Sequence, residues 1–561
     1  MAAPGCVGGR PVRTLPVVDA TPTLQVGGRW TSAGERWAQP PSTVASWPRQ
    51  LAVGVVSLLL AVLAAGTLVG AGATLLVRRQ LDEGEPLIYG LGARLLRGEP
   101  LYQPLDRQPF IQVHYTPLYY WATAGLHLLL GGGFAPGRAL SIVAGLASAG
   151  LVAYLATARS DSWRVGGFAA LLFLALGFPG APAPWLALYR VDVLGVALSL
   201  GAIAVLAHRT TRRHLVAAGA LAGLALLTKQ SLFAAAIAGT LWLATLDVRK
   251  AAQFAVATLV TALLPSAALQ WSSGGAFLDN VLVANPTATS LQLGASLVRE
   301  LVAIQGVPAL LAALFVVRAR AWREPQLRLI LTYWLASFVS VVGIVKVGSN
   351  HNYWIELAAA TAVLATLGVW TALRPGTRGL AAVWAMLPVW LLAAALGILT
   401  PARLVAVPHA DVVPPGWRLP LDQLGALRAQ NGEFSSLVQE LRHAPGRVLG
   451  ESLDTIVLAD RPPLFEPFAY SMLEQEGRWS SGPLVDDICA GKISLLVLSY
   501  PIESDIHPVG LSEFPMWPRT VMRALRAMMV WDSRKVDHWL YRPRSLADSR
   551  ASASAAAGCG Q

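Results

Sequence analysis

Long apolar segments separated by short polar ones run through most of this chain. The longer segments have the 17 to 25 residues or so that a helix needs to cross roughly 30 Å of hydrocarbon. The pattern predicts eleven transmembrane helices, at 51–77, 137–157, 165–182, 193–207, 215–228, 231–246, 251–270, 297–317, 327–345, 354–373 and 380–399. The first segment is too long for the apolar core of a signal peptide, so we predict that it stays as a helix.

The composition agrees with this pattern. Of 561 residues, 54% are hydrophobic and 14% are charged, and the mean hydropathy is +0.51. These values exclude an ordinary soluble globular protein and predict an α-helical polytopic membrane protein. The cysteines Cys6, Cys489 and Cys559 are far apart and odd in number, so we expect neither a disulfide framework nor a metal site from them.

The segment 117–130 is ambiguous, and the charges of the loops decide its status. If it lies at the interface and does not span, one side of the membrane receives the five arginines of the N-terminal tail and thirteen further basic residues: Arg159, Arg164, Arg209, Arg212, Arg213, Arg249, Lys250, Arg318, Arg320, Arg323, Arg328, Arg374 and Arg378. The opposite short loops hold Arg190, Lys229 and Lys346. The positive-inside rule then predicts a cytoplasmic N-terminus and an interfacial or re-entrant helix at 117–130.

The chain changes character after residue 399. Residues 401–420 are predicted to form a linker, 421–443 an amphipathic helix, 447–451 and 493–500 short strands, and 531–542 a last strand. This alternation predicts a small α/β domain at 421–544, on the extracytoplasmic side of a transmembrane domain at 51–400. The ends, 1–50 and 545–561, carry too little apolar surface to order themselves.

Polar residues interrupt the apolar pattern at four places that this topology brings to the outer surface: 82–85, 189–192, 229–230 and 346–356. Together they supply carboxylates and cations, which suit activation of a hydroxyl and neutralisation of a phosphate leaving group. Structural alternatives are a solvated helix start for the acids, a local Arg190–Asp192 ion pair, and a snorkelling Lys229. The spacing of His, Asp and Glu contains no metal signature, which leaves metal dependence open.

The order of several motifs resembles a known family. An acidic residue follows the first span, and then come Gly98-Glu99-Pro100-Leu101-Tyr102, Tyr115-Thr116-Pro117-Leu118-Tyr119-Tyr120, Arg190-Val191-Asp192 and Thr228-Lys229-Gln230. Over about 51–399 this order is similar to the C-type integral-membrane glycosyltransferases (GT-C), above all to the protein O-mannosyltransferase and aminoarabinose transferase clan. The resemblance implies a GT-C-like helical membrane fold, a sugar donor linked through phosphate to a polyprenyl lipid, a site at the outer membrane surface, and inversion at the anomeric carbon.

The resemblance also implies site residues. The family's acid after the first span corresponds to Glu83 or Glu85, with Asp82 a weaker match, and further family positions correspond to Asp192 and Lys229. Aminoarabinose transferases have Lys-Pro where this chain has Thr116-Pro117, so one phosphate contact must come from elsewhere or be absent.

We therefore predict three groups of site residues. The catalytic candidates are Glu85, Glu83, Asp82 and Asp192. The donor-phosphate candidates are Arg190, Lys229 and Lys346. The residues predicted to line the site are Tyr102, Tyr115, Asn350, Asn352, Tyr353 and Glu356.

The predicted partners are a polyprenyl-phosphate sugar, an envelope acceptor and membrane lipid, in a multi-pass protein of the plasma or inner membrane. The main alternative is a transporter or flippase, but that would place its ionisable groups near mid-bilayer, often in two similar halves. A lipid-linked structural or assembly protein would not need paired acids and cations. The net charge of +12 does not indicate a nucleic-acid partner, since inner loops and anionic headgroups account for the arginines.

Overall fold

The structure is a computed structural model that describes residues 47–178, 185–285, 288–372, 421–506 and 515–544, together with Cys559. The predicted span 380–399, the predicted linker 401–420 and nearly all of the two predicted disordered ends lie outside the described residues. The other ten predicted spans each overlap a helix.

The membrane part consists of α-helices joined by short connections. In chain order they are α1 Trp47–Thr74, α2 Gly84–Leu96, α3 Leu118–Leu130, α4 Ala135–Ser160, α5 Trp163–Leu176, α6 Asp192–His208, α7 Arg212–Thr228, α8 Ala234–Ala244, α9 Val248–Ser272, α10 Leu291–Ala319, α11 Pro325–Val341 and α12 Ile355–Ala372. Short 3-10 turns cover Trp185–Ala187, Val342–Val345 and His351–Trp354. Within the described residues, 6 helical segments are long and apolar enough to cross a membrane by length and composition. The predicted total of eleven therefore stays a prediction.

Small residues set the close packing of these helices. A Cβ added at Gly219 of α7 would lie 2.7 Å from the carbonyl oxygen of Phe254 on α9, and one at Gly223 would lie 2.7 Å from that of Thr258. Because lipid tails are as apolar as the side chains, helices in a membrane associate through such close backbone approach. Helix α12 is buried on nearly all sides and forms the centre of the bundle.

Helix α3 differs from the spanning helices. Its 13 residues extend about 20 Å, which is short of the roughly 30 Å of hydrocarbon. Leu128, Leu129 and Leu130 are exposed at one end, while Tyr119 and Tyr120 are buried against the rest of the protein. These properties fit the predicted interfacial helix.

The C-terminal part contains a four-stranded sheet in the order β1-β2-β4-β3, with β1 parallel to β2 and the other pairs antiparallel. Its elements are α13 Leu421–His443, β1 Arg447–Gly450, α14 Leu453–Leu458, α15 Pro467–Gln475, α16 Gly482–Cys489, β2 Ile493–Leu498, α17 Arg519–Met528, β3 Met529–Lys535 and β4 His538–Pro543. The predicted helix and first two strands are present. The single strand predicted at 531–542 is wrong, because these residues belong to a hairpin that turns at Val536, where φ is 54°.

The C-terminal part packs directly on the membrane part. Leu87 and Ile88 of α2 share a hydrophobic cluster with Phe434 of α13 and Ile456 of α14. Nearby, the backbone N–H of Phe110 donates to the carbonyl of Leu464 at 2.8 Å. The C-terminal part and the membrane part therefore share a hydrophobic core, which lies next to the polar segment between α2 and α3.

A disulfide joins Cys489 to Cys559. The expectation of no disulfide was wrong because it rested on separation along the sequence. Folding brings Cys489, at the end of α16, next to Cys559, and separation along the sequence does not report that.

Candidate active site

Glu85 lies in a sealed ion pair at the start of α2. Its carboxylate accepts from Arg138 Nε at 2.8 Å and Nη2 at 2.6 Å, and from the backbone N–H groups of Leu81 at 2.7 Å and Tyr189 at 2.9 Å. Both charged side chains are 0% exposed. Four donors occupy the carboxylate, so no lone pair is left for a substrate.

Arg138 anchors the end of the first span as well. Its remaining N–H groups donate to the carbonyls of Thr74, Val77 and Arg79 at 2.8, 2.6 and 2.8 Å. Helix ends leave carbonyls without intrahelical partners, and Arg138 supplies donors for them. The Glu85–Arg138 cluster thus fixes the geometry of the loop that carries Asp82 and Glu83.

Glu83 has the opposite environment, although it is only two residues away. Its side chain is exposed and makes no hydrogen bond to the residues that the structure describes. Surrounding protein nevertheless restricts its hydration, so burial, followed by the charges of Glu451 and Asp82, raises its pKa to about 7, against the lowering effect of Arg190. A carboxylate that is both accessible and near neutrality is suited to proton transfer.

Glu451 comes from the C-terminal part, in the loop after β1. Its Oε2 accepts from Ser499 Oγ at 2.6 Å, and burial raises its pKa. Three residues later, in the first turn of α14, Asp454 Oδ2 accepts from the backbone N–H of Gln80 at 3.0 Å and so fastens this region to the membrane part. We call Asp82, Glu83 and Glu451 the acid recess.

Arg190 links the acid recess to an aromatic residue. Its Nη1 donates to Asp82 Oδ1 at 2.9 Å, and its Nη2 donates to Tyr115 Oη at 3.0 Å. The guanidinium also lies 5.8 Å from the ring centre of Tyr115 and 5.6 Å from that of Trp185. Although burial opposes its charge, Asp82 and the other neighbours hold the pKa of Arg190 above its ordinary value.

Asp192 opens α6 and is almost fully buried. Its Oδ1 accepts from Lys229 Nζ at 2.7 Å and from Asn352 Nδ2 at 2.8 Å, and its Oδ2 accepts from Trp185 Nε1 at 3.3 Å. Three elements that are distant in sequence are thereby joined at one carboxylate. The alternative of a local ion pair between Arg190 and Asp192 is not what the structure shows, since Arg190 pairs with Asp82 and Asp192 pairs with Lys229.

The Lys229 ammonium lies 4.4 Å above the ring centre of Tyr353 and 5.7 Å from that of Tyr115. Tyr115 therefore stands between Arg190 and Lys229 and contacts both. Lys346 donates to Asn285 Oδ1, and burial, followed by the charge of Lys229, lowers its pKa to about 8. We call Arg190, Lys229 and Lys346 the cation row.

The other residues predicted to line the site make hydrogen bonds to neighbouring protein groups. Tyr102 is buried and donates to the carbonyl of Tyr115 at 2.9 Å. Asn350 accepts from the backbone N–H of His351 at 2.7 Å and so caps the turn before α12. Glu356 accepts from Ser199 and from Tyr333 within the bundle; these contacts do not bring it to the acid recess.

Sequence reasoning missed Arg138, Trp185 and Glu451. Arg138 had a detectable signal, because it is a charge at the start of an apolar segment, and such charges need a partner. Glu451 had none, because only the docking of the C-terminal part brings it near Glu83. In the described part of the chain, no group of three or more His, Cys, Asp or Glu side chains is arranged to hold a metal ion.

Comparison with known proteins connects this geometry to a fold. No protein-family model and no curated protein sequence matches the chain. Among solved structures, it is similar to ArnT from Cupriavidus metallidurans bound to undecaprenyl phosphate, with a TM-score of 0.55, 14% identity, and coverage of 90% of this chain and 99% of that chain. Apo ArnT gives a TM-score of 0.54 with 15% identity and coverage of 88% and 98%.

An oligosaccharyltransferase from Archaeoglobus fulgidus also matches, with a TM-score of 0.49, 13% identity and coverage of 89% of this chain and 75% of that chain. These neighbours are GT-C glycosyltransferases. The predicted GT-C-like fold, a helical membrane part with a small C-terminal sheet, is confirmed by the similarity to ArnT.

Proposed function

We propose that this protein is a membrane glycosyltransferase. It moves a sugar from a polyprenyl-phosphate donor to a hydroxyl of an envelope acceptor, at the outer face of the cell membrane and with inversion. The observation that carries this proposal is that Glu83, an accessible carboxylate of raised pKa, directly follows Asp82 in the chain, and Asp82 accepts a hydrogen bond from Arg190 of the cation row. The ArnT fold supports it, since ArnT was solved with undecaprenyl phosphate bound.

Glu83 acts as the general base in this mechanism. It accepts the proton of the acceptor hydroxyl while that oxygen forms a bond to the anomeric carbon of the donor. The bond from the anomeric carbon to the phosphate oxygen breaks, and its electron pair leaves with the polyprenyl phosphate. Attack from the face opposite the phosphate inverts the configuration.

Two members of the cation row, Arg190 and Lys346, stabilise the phosphate as negative charge develops on it. Fixed cations act strongly in a site where water is scarce, and the described donors are already positioned by Asp82, Asp192 and Asn285. We assign Arg190 and Lys346 to the phosphate. Lys229 and Asp192 position Tyr115, Tyr353 and Asn352 around it.

The outward orientation rests on the distribution of loop charges and on the disulfide between Cys489 and Cys559. Disulfides persist in oxidising compartments and are rare in the cytosol, so the bond supports an extracytoplasmic C-terminal part. An impermeant thiol reagent should label a cysteine placed at Ser480 from outside sealed cells and should not label one at Thr211, after Cys6, Cys489 and Cys559 have been replaced. The reverse labelling would overturn the orientation.

Transfer itself is tested with purified protein in lipid nanodiscs. A labelled polyprenyl-phosphate sugar and an envelope extract should yield free polyprenyl phosphate and a labelled glycan. Arg190→Ala should raise the donor KM, whereas Arg534→Ala, which removes an exposed arginine from β3, should not. If transfer proceeds from a nucleotide sugar with all lipid carriers removed, the donor assignment fails.

A further inference from the structure

A cavity of about 490 Å³ lies in the C-terminal part. Its volume is in the range of small-ligand sites. Its lining includes Tyr500, Trp517, Arg519 and Arg523. We call these four residues the arginine hollow. The mechanism described above uses none of them.

Helix α17 explains why the arginines face the same way. Arg519, Arg523 and Arg526 follow the spacing of four and three residues that places side chains on one helix face. The opposite face, which includes Val521 and Leu525, is buried in the core of the domain. The sequence of this helix thus places its arginines together on the face that points away from the core of the domain.

The three arginines are not equivalent. Arg526 donates to the backbone carbonyls of Ile502, Glu503 and Ser504 at 2.8, 3.3 and 3.2 Å, so it holds the floor of the hollow. Arg519 and Arg523 are exposed and make no hydrogen bond or ion pair with the residues that the structure describes. Two planar guanidinium groups with unused donors suit a carboxylate or a phosphate group.

Tyr500 gives the hollow an aromatic wall. Trp517 is buried, and its indole N–H donates to Tyr500 Oη at 2.8 Å, which fixes the position of the phenol. Beside the arginines lie the exposed carboxylates of Glu503 and Asp505, and a carboxylate can accept hydrogen bonds from hydroxyl groups. An acidic sugar residue, which combines hydroxyls with one anionic group, matches this mixture better than a dense polyanion, which Glu503 would repel.

The hollow adjoins the acid recess through two consecutive residues. Ser499 donates to Glu451, and Tyr500 follows it in the hollow. Glu451 in turn lies three residues before Asp454, which accepts from the backbone N–H of Gln80, and Gln80 lies three residues before Glu83. Burial, followed by the charges of Glu451 and Glu83, raises the pKa of Tyr500 against the lowering effect of its hydrogen bond with Trp517, and the influence of the two acids agrees with their closeness.

We propose that the arginine hollow is an acceptor subsite. It binds an anionic sugar residue of the acceptor glycan, carrying a carboxylate or a phosphate, and so holds a neighbouring hydroxyl toward Glu83. This inference rests on the proposed function. It names the class of acceptor as an acidic glycan.

Binding is tested apart from transfer, with the full chain in nanodiscs of neutral lipid and no donor. Soluble probes would be a uronic-acid oligosaccharide, a phosphate-bearing oligosaccharide and a neutral oligosaccharide of equal length. We expect at least one acidic probe to bind, with an affinity that falls as salt rises, and the neutral probe to bind far more weakly. The two acidic probes distinguish carboxylate from phosphate as the recognised group.

Arg523→Gln and Arg519→Gln should each weaken acidic-probe binding by roughly tenfold or more, since each removes a charge-assisted interaction. The matched control Arg534→Gln removes the same charge from β3, outside the hollow, and should bind as the unchanged chain does. Equal binding by Arg523→Gln and Arg534→Gln would overturn the proposal. So would equal binding of the neutral probe.

Two further results separate this proposal from the proposed function. Glu83→Gln should bind the acidic probe normally, because it alters the base and leaves the hollow intact. In a transfer assay Arg523→Gln should raise the KM for the acceptor and leave that for the donor unchanged. If Glu83→Gln loses transfer while Arg523→Gln binds acidic probes normally, the subsite is wrong and the glycosyltransferase assignment stands. If acidic probes bind through Arg523 but no lipid-linked sugar is ever transferred, the proposed function fails instead.

Discussion

Glu83 and Glu85 are two residues apart in one loop, yet they belong to different kinds of site. Glu85 is fully buried, accepts four hydrogen bonds and pairs with Arg138. Glu83 is exposed, accepts no hydrogen bond from the described residues and has a pKa raised to about 7. The comparison shows that a carboxylate whose lone pairs all accept hydrogen bonds holds the structure of the loop. A carboxylate whose lone pairs are not used in this way is still able to accept a proton.

The largest expected effect separates the two acids by activity. Glu83→Gln removes the proposed base, and loss of general-base catalysis commonly lowers a rate by about 10² to 10⁴. We expect transfer from a polyprenyl-phosphate sugar to fall in this range while the protein accumulates and unfolds as before. Transfer at the unchanged rate, measured by release of polyprenyl phosphate, would remove Glu83 from the catalytic role.

Glu85→Gln should act on stability. It leaves Arg138 buried without its anionic partner, and breaking one side of a buried ion pair costs about 3–5 kcal/mol. We expect a clear fall in the unfolding midpoint of the detergent-solubilised protein. As a control, Asp460→Asn removes an acid that pairs with Arg442 where both residues are exposed, and such a pair is worth about 0–1 kcal/mol.

The double variant Glu85→Leu with Arg138→Met sharpens this result. Replacing a whole buried pair by apolar residues often restores stability. Here the recovery should be partial, because the carbonyls of Thr74, Val77 and Arg79 still lose the donors that Arg138 supplied. Full recovery would show that these carbonyl contacts are not needed.

The pH dependence tests the environment of Glu83. A base must be deprotonated to act, so transfer should rise with pH through about 7. After burial, the charge of Glu451 is the next cause of the raised pKa of Glu83. Glu451→Gln should therefore lower this pKa and move the rising part of the pH–rate profile to lower pH by up to about one unit. The control is Glu440→Gln, which changes a half-exposed acid on α13 that pairs with Lys535. A limb that moves to higher pH would contradict the arrangement.

The smallest expected effect concerns the support behind the cation row. Tyr102→Phe removes one hydrogen bond to the carbonyl of Tyr115, and such bonds contribute about 0.5–1.5 kcal/mol. A loosened Tyr115 should raise the donor KM by roughly two- to tenfold. Tyr154→Phe, at an exposed tyrosine on α4, should leave it unchanged. A donor KM that Tyr102→Phe does not alter would place Tyr115 outside donor binding.

Much of the fold follows from hydrophobic pattern, because span length and loop charge are local properties of the chain. The helix at 421–443 and the parallel strands β1 and β2 could be predicted for the same reason. The hairpin of β3 and β4 could not, since its turn at Val536 uses a left-handed backbone conformation that β-branched residues rarely adopt. Sequence spacing also gave no sign of the bond between Cys489 and Cys559.

The sequence by itself determined which polar residue types interrupt the apolar pattern: acids after the first long apolar segment, and single cations at breaks in later ones. Only the tertiary structure decided which of them are available. It closes Glu85 with Arg138, pairs Lys229 with Asp192, and brings Glu451 toward Glu83 from a part of the chain more than 350 residues away. The physical reason is that burial and hydrogen-bond saturation depend on neighbours in space, and these control whether a carboxylate can take a proton.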